Sequence, residues 1–403
     1  MPTRTRLFLG SLGILAMLGC SDSGSIYDYS GPTSSYVVNA IAVADINGNH
    51  LPDILGLVST SFGETPTQGY VSTRLQTTTG AFAMPIRFGV GTGPANFVVA
   101  DVDGDGHPDL VVANADDQTI TVRLADSTRP GYFLPAIVLS TPGRTPLDVA
   151  VGNFSGHFDG RMDIVVAASG ANSVLVFTQT ATGTFNNPVA YPVGGDPQAV
   201  TVADLDHNGF ADIAVATTAN TASVLLQTST GVFAPAVDYT TGVQPVAIKA
   251  ADLNGDGRLA LLTANYGAAI SPGTQGLSVL FQGTTAGTFA PPVHYATGYR
   301  ASGLAVGDLN GDDKLDIAVA CQGLPGDPGA VSVFLQTPPA AATPGVFLPA
   351  INYRGVYGPM GVAIADMDGD SHPDLVLADG DIVVRLNNPA SPGTFGPPNL
   401  FYN

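Results

Sequence analysis

The sequence predicts an all-β protein, a seven-bladed β-propeller of four-stranded antiparallel blades. Three observations support this fold. An Asp-rich turn between two apolar runs recurs seven times, most copies continue into two further β-rich runs, and turn-forming residues are abundant, with 49 Gly and 31 Pro. Of the 33 acidic residues, only Glu64 is a glutamate. Asp, Gly and Pro disfavour helices, and a chain with 45% hydrophobic residues is too apolar to be disordered.

The N-terminal segment predicts export and lipidation. Arg4 and Arg6 precede an apolar stretch, Leu7 to Leu18, that is too short to span a bilayer and suits a secretory signal. The stretch leads to Cys20, and this pattern resembles a bacterial lipoprotein signal, in which the cysteine becomes the acylated first residue. An ordinary secretory signal with an incidental cysteine is the alternative. The expected segments are a signal peptide at 1–19, a lipidated tether at 20–34 and a propeller at 35–403.

The residues around the predicted lipid anchor suggest its destination. By the same resemblance, Ser21 after the cysteine favours the outer membrane of a Gram-negative bacterium, although Met17 stands where Leu is usual. If Cys20 carries lipid, Cys321 has no partner, so the fold is not held by disulfides. Cys321 follows an apolar run, which indicates a buried structural thiol.

The repeated unit accounts for nearly the whole mature chain. The first residues of the seven turns are spaced 48 to 58 residues apart. Apolar runs bounded by Gly, Pro and Asp predict buried strands, and a Gly-x-Phe step precedes a Pro-containing fourth run that ends near a Tyr. A radial array of such units leaves only short strand edges. An open solenoid would need atypical end units, whereas the terminal units here resemble the others.

Ring closure has two candidate strands. Ile26–Tyr29 and Phe395–Tyr402 both resemble a fourth strand, which gives eight candidates for seven blades. We expect the C-terminal copy to complete the last blade. If Ile26–Tyr29 pairs instead, the last blade combines both termini.

The Asp-rich turns are candidate calcium sites. In the second turn, oxygens recur at turn positions 1, 3, 5 and 9, and a backbone carbonyl at position 7 can join them. Hard oxygen donors in a Gly-bent loop suit Ca²⁺, which takes six to eight oxygen ligands. Without a cation, neighbouring carboxylates repel by about 4 kcal/mol per pair at 4 Å and an effective dielectric of 20. An EF-hand is excluded, because it needs Glu at position 12 and helical flanks.

Five turns carry a complete oxygen set, so we expect about five calcium ions. The alternative is that the turns are only Asx-type turns without an ion. The five sets are Asp45, Asn47, Asn49, Asp53; Asp101, Asp103, Asp105, Asp109; Asp204, Asp206, Asn208, Asp212; Asp308, Asn310, Asp312, Asp316; and Asp366, Asp368, Asp370, Asp374.

The remaining two turns are incomplete. The fifth turn offers Asp252, Asn254 and Asp256 as ligands but has Ala260 at position 9. The third turn begins with Asn153 and Ser155 and has two extra residues before Asp163, so we do not expect it to bind an ion.

This pattern resembles the FG-GAP/VCBS repeat family, whose best-known members are the β-propellers of integrin α-subunits. The resemblance covers nearly all of residues 36–403 and rests on an apolar run, the motif D-x-[DN]-x-[DN]-G-x-x-D and a second apolar run. It implies an ion in the turn between the first and second strands of a blade, and non-catalytic roles in most members. His50, Asp313 and Ser371 replace the Gly at position 6, which leaves the geometry of those turns open.

Charge and motif content limit the function. A net charge of -19 with only 14 basic residues argues against nucleic-acid binding. The sequence lacks the common hydrolase and nucleotide-binding motifs, so no catalytic residue is predicted. A ligand is expected on the loops opposite the calcium turns, where aromatic and Arg side chains suit sugars or acidic groups but also occur as solvated rim residues. These candidates are Arg144, Tyr266, Tyr299, Arg300 and Tyr357.

The function predicted from the sequence is a membrane-anchored, extracytoplasmic, calcium-stabilised propeller that binds a glycan or protein ligand as a non-catalytic adhesion or binding module. Two alternatives remain. One is a carbohydrate-active enzyme, a polysaccharide lyase or hydrolase, on the same scaffold. The other is a structural subunit of an envelope complex.

Overall fold

The structure is a computed structural model of the chain. The predicted signal peptide, the predicted lipidation site Cys20, the predicted tether and the candidate strand Ile26–Tyr29 lie outside the residues it describes. Within the described residues, no helix is long and apolar enough to cross a membrane. The described residues are 35–62, 65–66, 68–157, 159–268, 275–324, 326, 328–336 and 345–401.

The described residues form seven antiparallel sheets, the blades, in which four strands pair in chain order. Blades 1, 3 and 4 also contain a two-stranded hairpin each, and blade 1 has one additional short strand. Blade 1 holds β1 (Ser35–Ala44), β2 (Asp53–Phe62), β3 (Thr65–Pro66), β4 (Gln68–Arg74), the hairpin β5 (Gln76–Thr78) and β6 (Ala81–Phe82), and β7 (Ile86–Thr92). Blade 2 holds β8 (Pro94–Ala100), β9 (Asp109–Asn114), β10 (Thr119–Arg123) and β11 (Ile137–Ser140). Blade 3 holds β12 (Thr145–Gly152), β13 (Asp163–Ser169), β14 (Ser173–Phe177), the hairpin β15 (Gln179–Ala181) and β16 (Thr184–Phe185), and β17 (Val189–Pro192).

The last four blades repeat this plan, with one short 3-10 helix at Tyr266–Ala268. Blade 4 holds β18 (Pro197–Ala203), β19 (Asp212–Thr217), β20 (Thr221–Leu225), the hairpin β21 (Gln227–Ser229) and β22 (Val232–Phe233), and β23 (Val237–Thr240). Blade 5 holds β24 (Pro245–Ala251), β25 (Ala260–Asn265), β26 (Leu277–Leu280) and β27 (Val293–Tyr295). Blade 6 holds β28 (Ala301–Gly307), β29 (Asp316–Cys321), β30 (Gly329–Phe334) and β31 (Ile351–Val356). Blade 7 holds β32 (Gly361–Ala365), β33 (Asp374–Asp379), β34 (Asp381–Arg385) and β35 (Asn399–Phe401).

The hydrophobic core lies between blades. The second strand of a blade, such as β9 or β19, is buried at every residue, because each of its faces packs against a neighbouring blade. This explains why these runs are continuously apolar and rich in β-branched residues. The first strands of neighbouring blades pack on one another and therefore line the axis. The predicted all-β, seven-bladed fold is confirmed.

Aromatic pairs join consecutive blades and explain the repeated Gly-x-Phe and Tyr. Tyr191 on the fourth strand of blade 3 packs edge-to-face on Phe233 of blade 4, with 4.9 Å between the ring centroids. Equivalent Tyr–Phe pairs join blades 4 to 5, 5 to 6 and 6 to 7 at 5.2 to 5.6 Å. Edge-to-face geometry at this distance favours contact between the positive ring edge and the negative ring face.

A glutamine that follows the third strand makes a second link between blades. The Gln227 side-chain amide of blade 4 donates a hydrogen bond of 2.7 Å to the carbonyl oxygen of Phe154, at position 2 of the third turn. Five other blades repeat this contact with the turn of the preceding blade, through Gln76, Gln179, Gln282, Gln336 and Asn387. In blade 2 the backbone N–H of Gly131 donates instead, at 3.1 Å, to the carbonyl of Ile46.

A buried aspartate links the first strands of three blades. Asp148 in β12 accepts hydrogen bonds from the Asn96 side chain of blade 2 at 2.7 Å and from the Val200 N–H of blade 4 at 2.9 Å. Burial raises the pKa of Asp148 to about 6, against the lowering effect of these hydrogen bonds.

The ring closes by packing between blade 7 and blade 1. As expected from the sequence, the fourth strand of the last blade is C-terminal, because β35 pairs with β34. The Gln76 side chain of blade 1 donates to the carbonyl of Met367 in blade 7 at 2.8 Å, and the Tyr36 hydroxyl donates to Asp381 at 3.3 Å. No described strand connection crosses this seam. Cys321, the described cysteine, is buried and free, as predicted.

The open seam predicts unequal roles for equivalent glutamines. We expect Gln76→Ala to lower the free energy of unfolding more than Gln227→Ala, because the chain itself crosses from blade 3 to blade 4 but not from blade 7 to blade 1. Loss of the hydrogen bond should cost about 1–2 kcal/mol at either site, with the additional loss confined to Gln76→Ala. Urea unfolding of the two variants and the wild type measures the difference. Equal losses would contradict this role of the seam.

Candidate functional site

The seven Asp-rich turns lie at one end of the sheets, where each joins the first strand of a blade to the second. This end is called the turn end below, and the opposite end the loop end. In six turns the Asp at position 9 is the first residue of the second strand, as Asp109 is in β9. The motif therefore ends where the buried strand begins, which places its last carboxylate inside the protein.

The carboxylate at position 1 shapes the turn. Asp101 accepts backbone hydrogen bonds from Gly104 at 2.7 Å, Asp105 at 3.1 Å and Gly106 at 2.9 Å. The position 1 aspartates of five other turns accept backbone N–H groups in the same way. A short side chain that accepts several amides of its own loop is the defining feature of Asx-type turns.

The residues at position 6 keep one geometry despite their variety. His50, Asp313 and Ser371 stand where the motif has Gly, and they have φ values of 64°, 61° and 69°. Gly106 in the second turn has a φ of 88°. The replacements therefore adopt the left-handed conformation that Gly would adopt at lower steric cost, and the turn geometry is retained.

The carboxylate at position 9 is a buried structural group as well as a candidate ligand. Asp109 is fully buried and accepts hydrogen bonds from the N–H of Val102 at position 2, at 2.8 Å, and of Ala125 after the third strand, at 2.7 Å. The same two backbone donors hold the equivalent residues Asp53, Asp163, Asp212, Asp316 and Asp374.

Burial makes these carboxylates costly to ionise. It raises the pKa of five position 9 aspartates from 3.8 to about 6, even though their backbone hydrogen bonds act to lower it. The other turn carboxylates add to the rise in each case. Burial also raises the pKa of Asp103 and Asp368 at position 3, with the neighbouring carboxylates as the next cause. A bound cation would remove this penalty.

Three turns bring three carboxylates together. In the second, fourth and seventh turns, one oxygen from each of positions 1, 3 and 9 lies within 4.8 Å of the others. The three groups are Asp101, Asp103, Asp109; Asp204, Asp206, Asp212; and Asp366, Asp368, Asp374. All donors are hard oxygens in a loop with a fixed backbone, so these residues fit Ca²⁺.

The first and sixth turns have one or two amides among their oxygen donors. In the first turn the Asn47 amide donates to both oxygens of Asp53, at 3.1 and 2.9 Å, which brings positions 3 and 9 together. In the sixth turn, the Asn310 oxygen accepts the N–H of Asp312 at 3.0 Å. Each amide that replaces a carboxylate lowers the negative charge of the turn by one, which weakens its attraction for a cation.

The third and fifth turns differ from this pattern. In the third turn the Ser155 hydroxyl donates to Asp163 at 2.7 Å, so the position 9 carboxylate is satisfied by the protein. The fifth turn retains the position 1 arrangement at Asp252, but Ala260 supplies no carboxylate. The fifth turn therefore retains the expected ligands Asp252, Asn254 and Asp256 but lacks the buried carboxylate at position 9.

The glutamine after the third strand was not singled out in the sequence, although it contacts the turns directly. Its side chain reaches the turn of the preceding blade, and its N–H holds the position 9 carboxylate of its own blade, as Gln227 does for Asp212 at 2.6 Å. A signal was present, because Gln follows the third strand in five repeats and Thr follows that Gln in four of them.

The five predicted ligand-binding residues all lie in connections at the loop end, where Arg300 contacts Tyr266, and Tyr299 directly precedes Arg300 in the chain. The Arg300 guanidinium carbon is 5.7 Å from the centre of the Tyr266 ring, and the Tyr266 hydroxyl donates to the Gln322 side-chain oxygen at 3.4 Å. The Tyr299 carbonyl accepts the N–H of Gly323 at 3.2 Å. We call Tyr266, Tyr299, Arg300 and Gln322 the blade 5–6 cluster.

The other two predicted residues lie elsewhere at the loop end. Arg144 connects blades 2 and 3, and its guanidinium is hydrogen bonded to the Ser173 hydroxyl. Tyr357 connects blades 6 and 7 with 77% of its surface exposed, and its N–H donates to Asp379 at 2.9 Å. Neither has a described contact with the blade 5–6 cluster.

A serine–histidine pair in blade 5 consists of a buried serine that is already hydrogen bonded and a half-buried histidine. The Ser278 hydroxyl lies 3.0 Å from the His294 Nδ1 atom, but Ser278 is fully buried and accepts hydrogen bonds from Gly242 and Asn265. Burial lowers the pKa of His294. Ser278 is thus committed to the packing of the blade, whereas His294 is half-buried.

Comparison with known proteins identifies the repeat. A family model described as an FG-GAP-like repeat matches residues 57–112, 158–215 and 211–263. These segments contain the second, fourth and fifth turns and the last part of the third. No curated protein matches the sequence.

Solved structures share the fold at low sequence identity. A lectin from Agrocybe aegerita that recognises non-reducing terminal N-acetylglucosamine has a TM-score of 0.55 and 18% identity, with 90% of this chain and 94% of that chain covered. BBS1N, solved in complex with ARL6DN, has a TM-score of 0.55 and 12% identity over 89% and 94%. The exotype rhamnogalacturonan lyase YesX has a TM-score of 0.51 and 14% identity over 85% and 70%.

The raised pKa values predict an unusual pH dependence in chelator. Because the folded protein holds protons at position 9 that the unfolded chain releases, stability should be greatest below pH 4 and fall as the pH rises through about 6. The melting temperature in chelator should therefore be higher at pH 5 than at pH 7. Asp109→Asn should flatten this dependence of the melting temperature on pH, and the exposed Asp159→Asn should not. Asp148→Asn measures how much of the dependence comes from the buried aspartate of the first strands. A melting temperature that rises from pH 5 to pH 7 would refute the assignment.

Proposed function

The chain is an FG-GAP repeat β-propeller, and from this premise we propose that it is a calcium-stabilised, extracytoplasmic binding module whose ligand contacts the loop end. The observation that carries the proposal is the difference between the two ends. The turn end repeats one acidic, backbone-bound motif seven times. The loop end varies from blade to blade and collects aromatic, guanidinium and amide groups at the blade 5–6 cluster.

The calcium part of the proposal rests on the donor chemistry of the turns. Positions 1, 3 and 9 converge in three turns, all with oxygen donors, and the position 9 carboxylate resists ionisation when no cation is present. When bound, Ca²⁺ would supply positive charge that compensates these carboxylates. The residues hold the turn in shape independently, because backbone amides satisfy positions 1 and 9.

The ligand part of the proposal rests on the blade 5–6 cluster. An aromatic ring offers a flat apolar face to a sugar ring, and a guanidinium and an amide supply hydrogen-bond donors and acceptors for hydroxyl or acidic groups. Arg300 and Tyr266 are held in contact, and Gln322 fixes the Tyr266 hydroxyl. Similar folds occur in a lectin and in a rhamnogalacturonan lyase, so this architecture supports saccharide binding in other proteins. A glycan is therefore the proposed ligand class, with a protein ligand as the alternative outcome.

Binding without catalysis is the form that the described residues favour. The blade 5–6 cluster lacks a carboxylate or histidine to act as a general acid or base, and the Ser278 hydroxyl in blade 5 is fully buried and hydrogen bonded within the protein. A lyase would require a Lys, Arg or Tyr base in a cleft. Arg300 and Tyr266 are the candidates, and the assay below distinguishes this alternative.

The location part of the proposal rests on the N-terminal pattern. A signal peptide followed by an acylated Cys20 would attach the propeller to a membrane surface, since acyl chains contribute roughly 0.8 kcal/mol per buried CH₂ group. The Ser21 that follows favours the outer membrane. The module would then face the cell envelope or the exterior, where calcium is available.

Calcium should stabilise the protein measurably. At pH 7 we expect the melting temperature to rise on calcium titration relative to chelator, because each site contributes about 2.7 kcal/mol at a hundredfold excess over its dissociation constant. Asp103→Ala removes a position 3 ligand and should lower the calorimetric stoichiometry by one ion, whereas exposed Asp159→Ala should leave it unchanged. An unchanged melting temperature on calcium addition would refute calcium stabilisation.

A glycan array followed by a turnover assay on the bound polymers tests the ligand. We expect binding without cleavage, and roughly tenfold weaker binding for Tyr266→Ala or Arg300→Ala, in line with a loss of about 1.4 kcal/mol. Arg161→Ala at the turn end is the control. Cleavage would support the enzyme alternative, and protein capture without glycan binding would support a structural subunit.

Detergent-phase partitioning of the protein from expressing cells tests the lipid anchor. We expect the wild type to enter the detergent phase and the Cys20→Ser variant to remain in the aqueous phase.

A further inference from the structure

The turns differ in how they are attached to the chain that leaves the third strand. In the first turn the Asn49 amide, at position 5, donates to the carbonyl of Gln76 at 2.7 Å. In the fourth turn Asn208 makes the same hydrogen bond to Gln227 at 2.8 Å. This contact, called the exit tie below, holds the outer part of the turn against its own blade.

The fifth turn makes an exit tie through a different side chain. Asp256 at position 5 is a carboxylate and cannot donate. Arg258 at position 7 supplies the donors instead. Its Nη2 and Nε atoms donate to Asp256 at 2.6 and 3.1 Å, and its Nη1 atom donates to the Gly283 carbonyl at 2.6 Å. The positive charge lies within the turn.

The third turn also makes its exit tie with a protein group. The His157 Nε2 atom lies 2.6 Å from the carbonyl of Gln179, the residue that follows the third strand of blade 3. The Asn153 amide donates to the His157 carbonyl at 2.6 Å, which fixes the inserted part of the turn. The two turns with incomplete oxygen sets are thus tied through a guanidinium or imidazole nitrogen, whereas the first and fourth turns are tied through the Asn amide at position 5.

The charge of the turns follows the same division. The second turn carries four carboxylates, at Asp101, Asp103, Asp105 and Asp109, and no Lys or Arg. Between its positions 1 and 9, the fifth turn carries two carboxylates, Asp252 and Asp256, and Arg258. Its formal charge is therefore -1 instead of -4, so it has little need of a divalent cation.

We propose that Arg258 is a built-in counter-ion that replaces calcium in the fifth turn, where the positive charge at position 7 and the absence of a carboxylate at position 9 together remove the need for an ion. This inference rests on the proposed calcium binding of the complete turns. Arg258 ties the turn to Gly283, and Ala260 removes the buried carboxylate that an ion would neutralise. The fifth turn is accordingly as stable in chelator as in calcium.

Removing the guanidinium tests the tie. Arg258→Gln should lower the melting temperature by roughly 2 °C in chelator and by the same amount in calcium, since no ion can restore the lost bridge. Arg161→Gln is the matched control, because Arg161 also pairs with an aspartate two residues away, Asp159 at 2.8 Å, yet has no described hydrogen bond to a carbonyl after the third strand. It should leave the melting temperature unchanged. An effect of Arg258→Gln that calcium reverses would overturn the proposal.

Converting the fifth turn into a copy of the second tests the reciprocal claim. The double variant Arg258→His/Ala260→Asp carries the residues of the second turn at positions 7 and 9. By the pattern of the other six turns, the backbone N–H groups of Leu253 and Gln282 are placed to hold the new carboxylate. We expect the calorimetric calcium stoichiometry to rise by one ion and the melting temperature to become calcium-dependent. A folded variant with unchanged stoichiometry would overturn the proposal.

Calcium titration of the wild-type protein distinguishes a failure of the proposed calcium binding from a failure of the proposed counter-ion role of Arg258. If it binds no calcium, the calcium part of the proposed function fails, while an equal loss for Arg258→Gln with and without calcium still supports the tie. If the wild type binds calcium and the Asp256→Asn variant, with Arg258 retained, binds one ion fewer, the fifth turn is a calcium site and the counter-ion role fails. If the double variant does not fold, Ala260→Asp alone, measured in the same titration, should show no additional ion while Arg258 is present.

Discussion

The rest of the structure depends on the buried carboxylate at position 9. Asp109 connects three elements of blade 2, because it begins the second strand and accepts the N–H groups of the turn and of the residue that follows the third strand. Two backbone amides satisfy its oxygens but do not balance its charge, and burial raises its pKa to about 6. One interaction therefore both orders the blade and creates an electrostatic cost at the turn end.

This constraint passes from blade to blade through the residue after the third strand. The N–H of Gln227 holds the carboxylate of its own blade, and its side-chain amide holds the turn of the preceding blade. Six blades use a Gln or Asn side chain in this way, so the turns form a continuous hydrogen-bonded ring that includes the seam between the two ends of the chain. In this arrangement the turn end serves as the scaffold and leaves the loop end free to vary.

Local repetition in the sequence was sufficient to predict the fold and the candidate turns, but not the contacts between blades. The Asp motif, the apolar runs and the Gly-x-Phe step are local patterns, so seven blades and their order could be deduced. Gln76 was overlooked because its partner, Met367, is 291 residues away, and the meaning of such a residue appears only when the ring is closed. Arg300 contacts Tyr266, whereas Arg144 does not, and this difference depends on loop lengths that no periodic pattern encodes.

The preference for Asp over Glu follows from the same geometry. At position 1 the side chain must accept amides from residues three to five positions ahead, as Asp101 does at 2.7 to 3.1 Å, and at position 9 it must fit between two fixed backbone donors. A longer Glu side chain would overshoot both sets of donors and lose more conformational entropy on burial. The third and fifth turns show that turn shape does not require a complete set of carboxylates, since backbone amides maintain the shape while a histidine or an arginine makes the tie. The acidic composition is therefore set first by backbone geometry, and the charge that each turn retains depends on its own side chains, as Arg258 shows in the fifth turn.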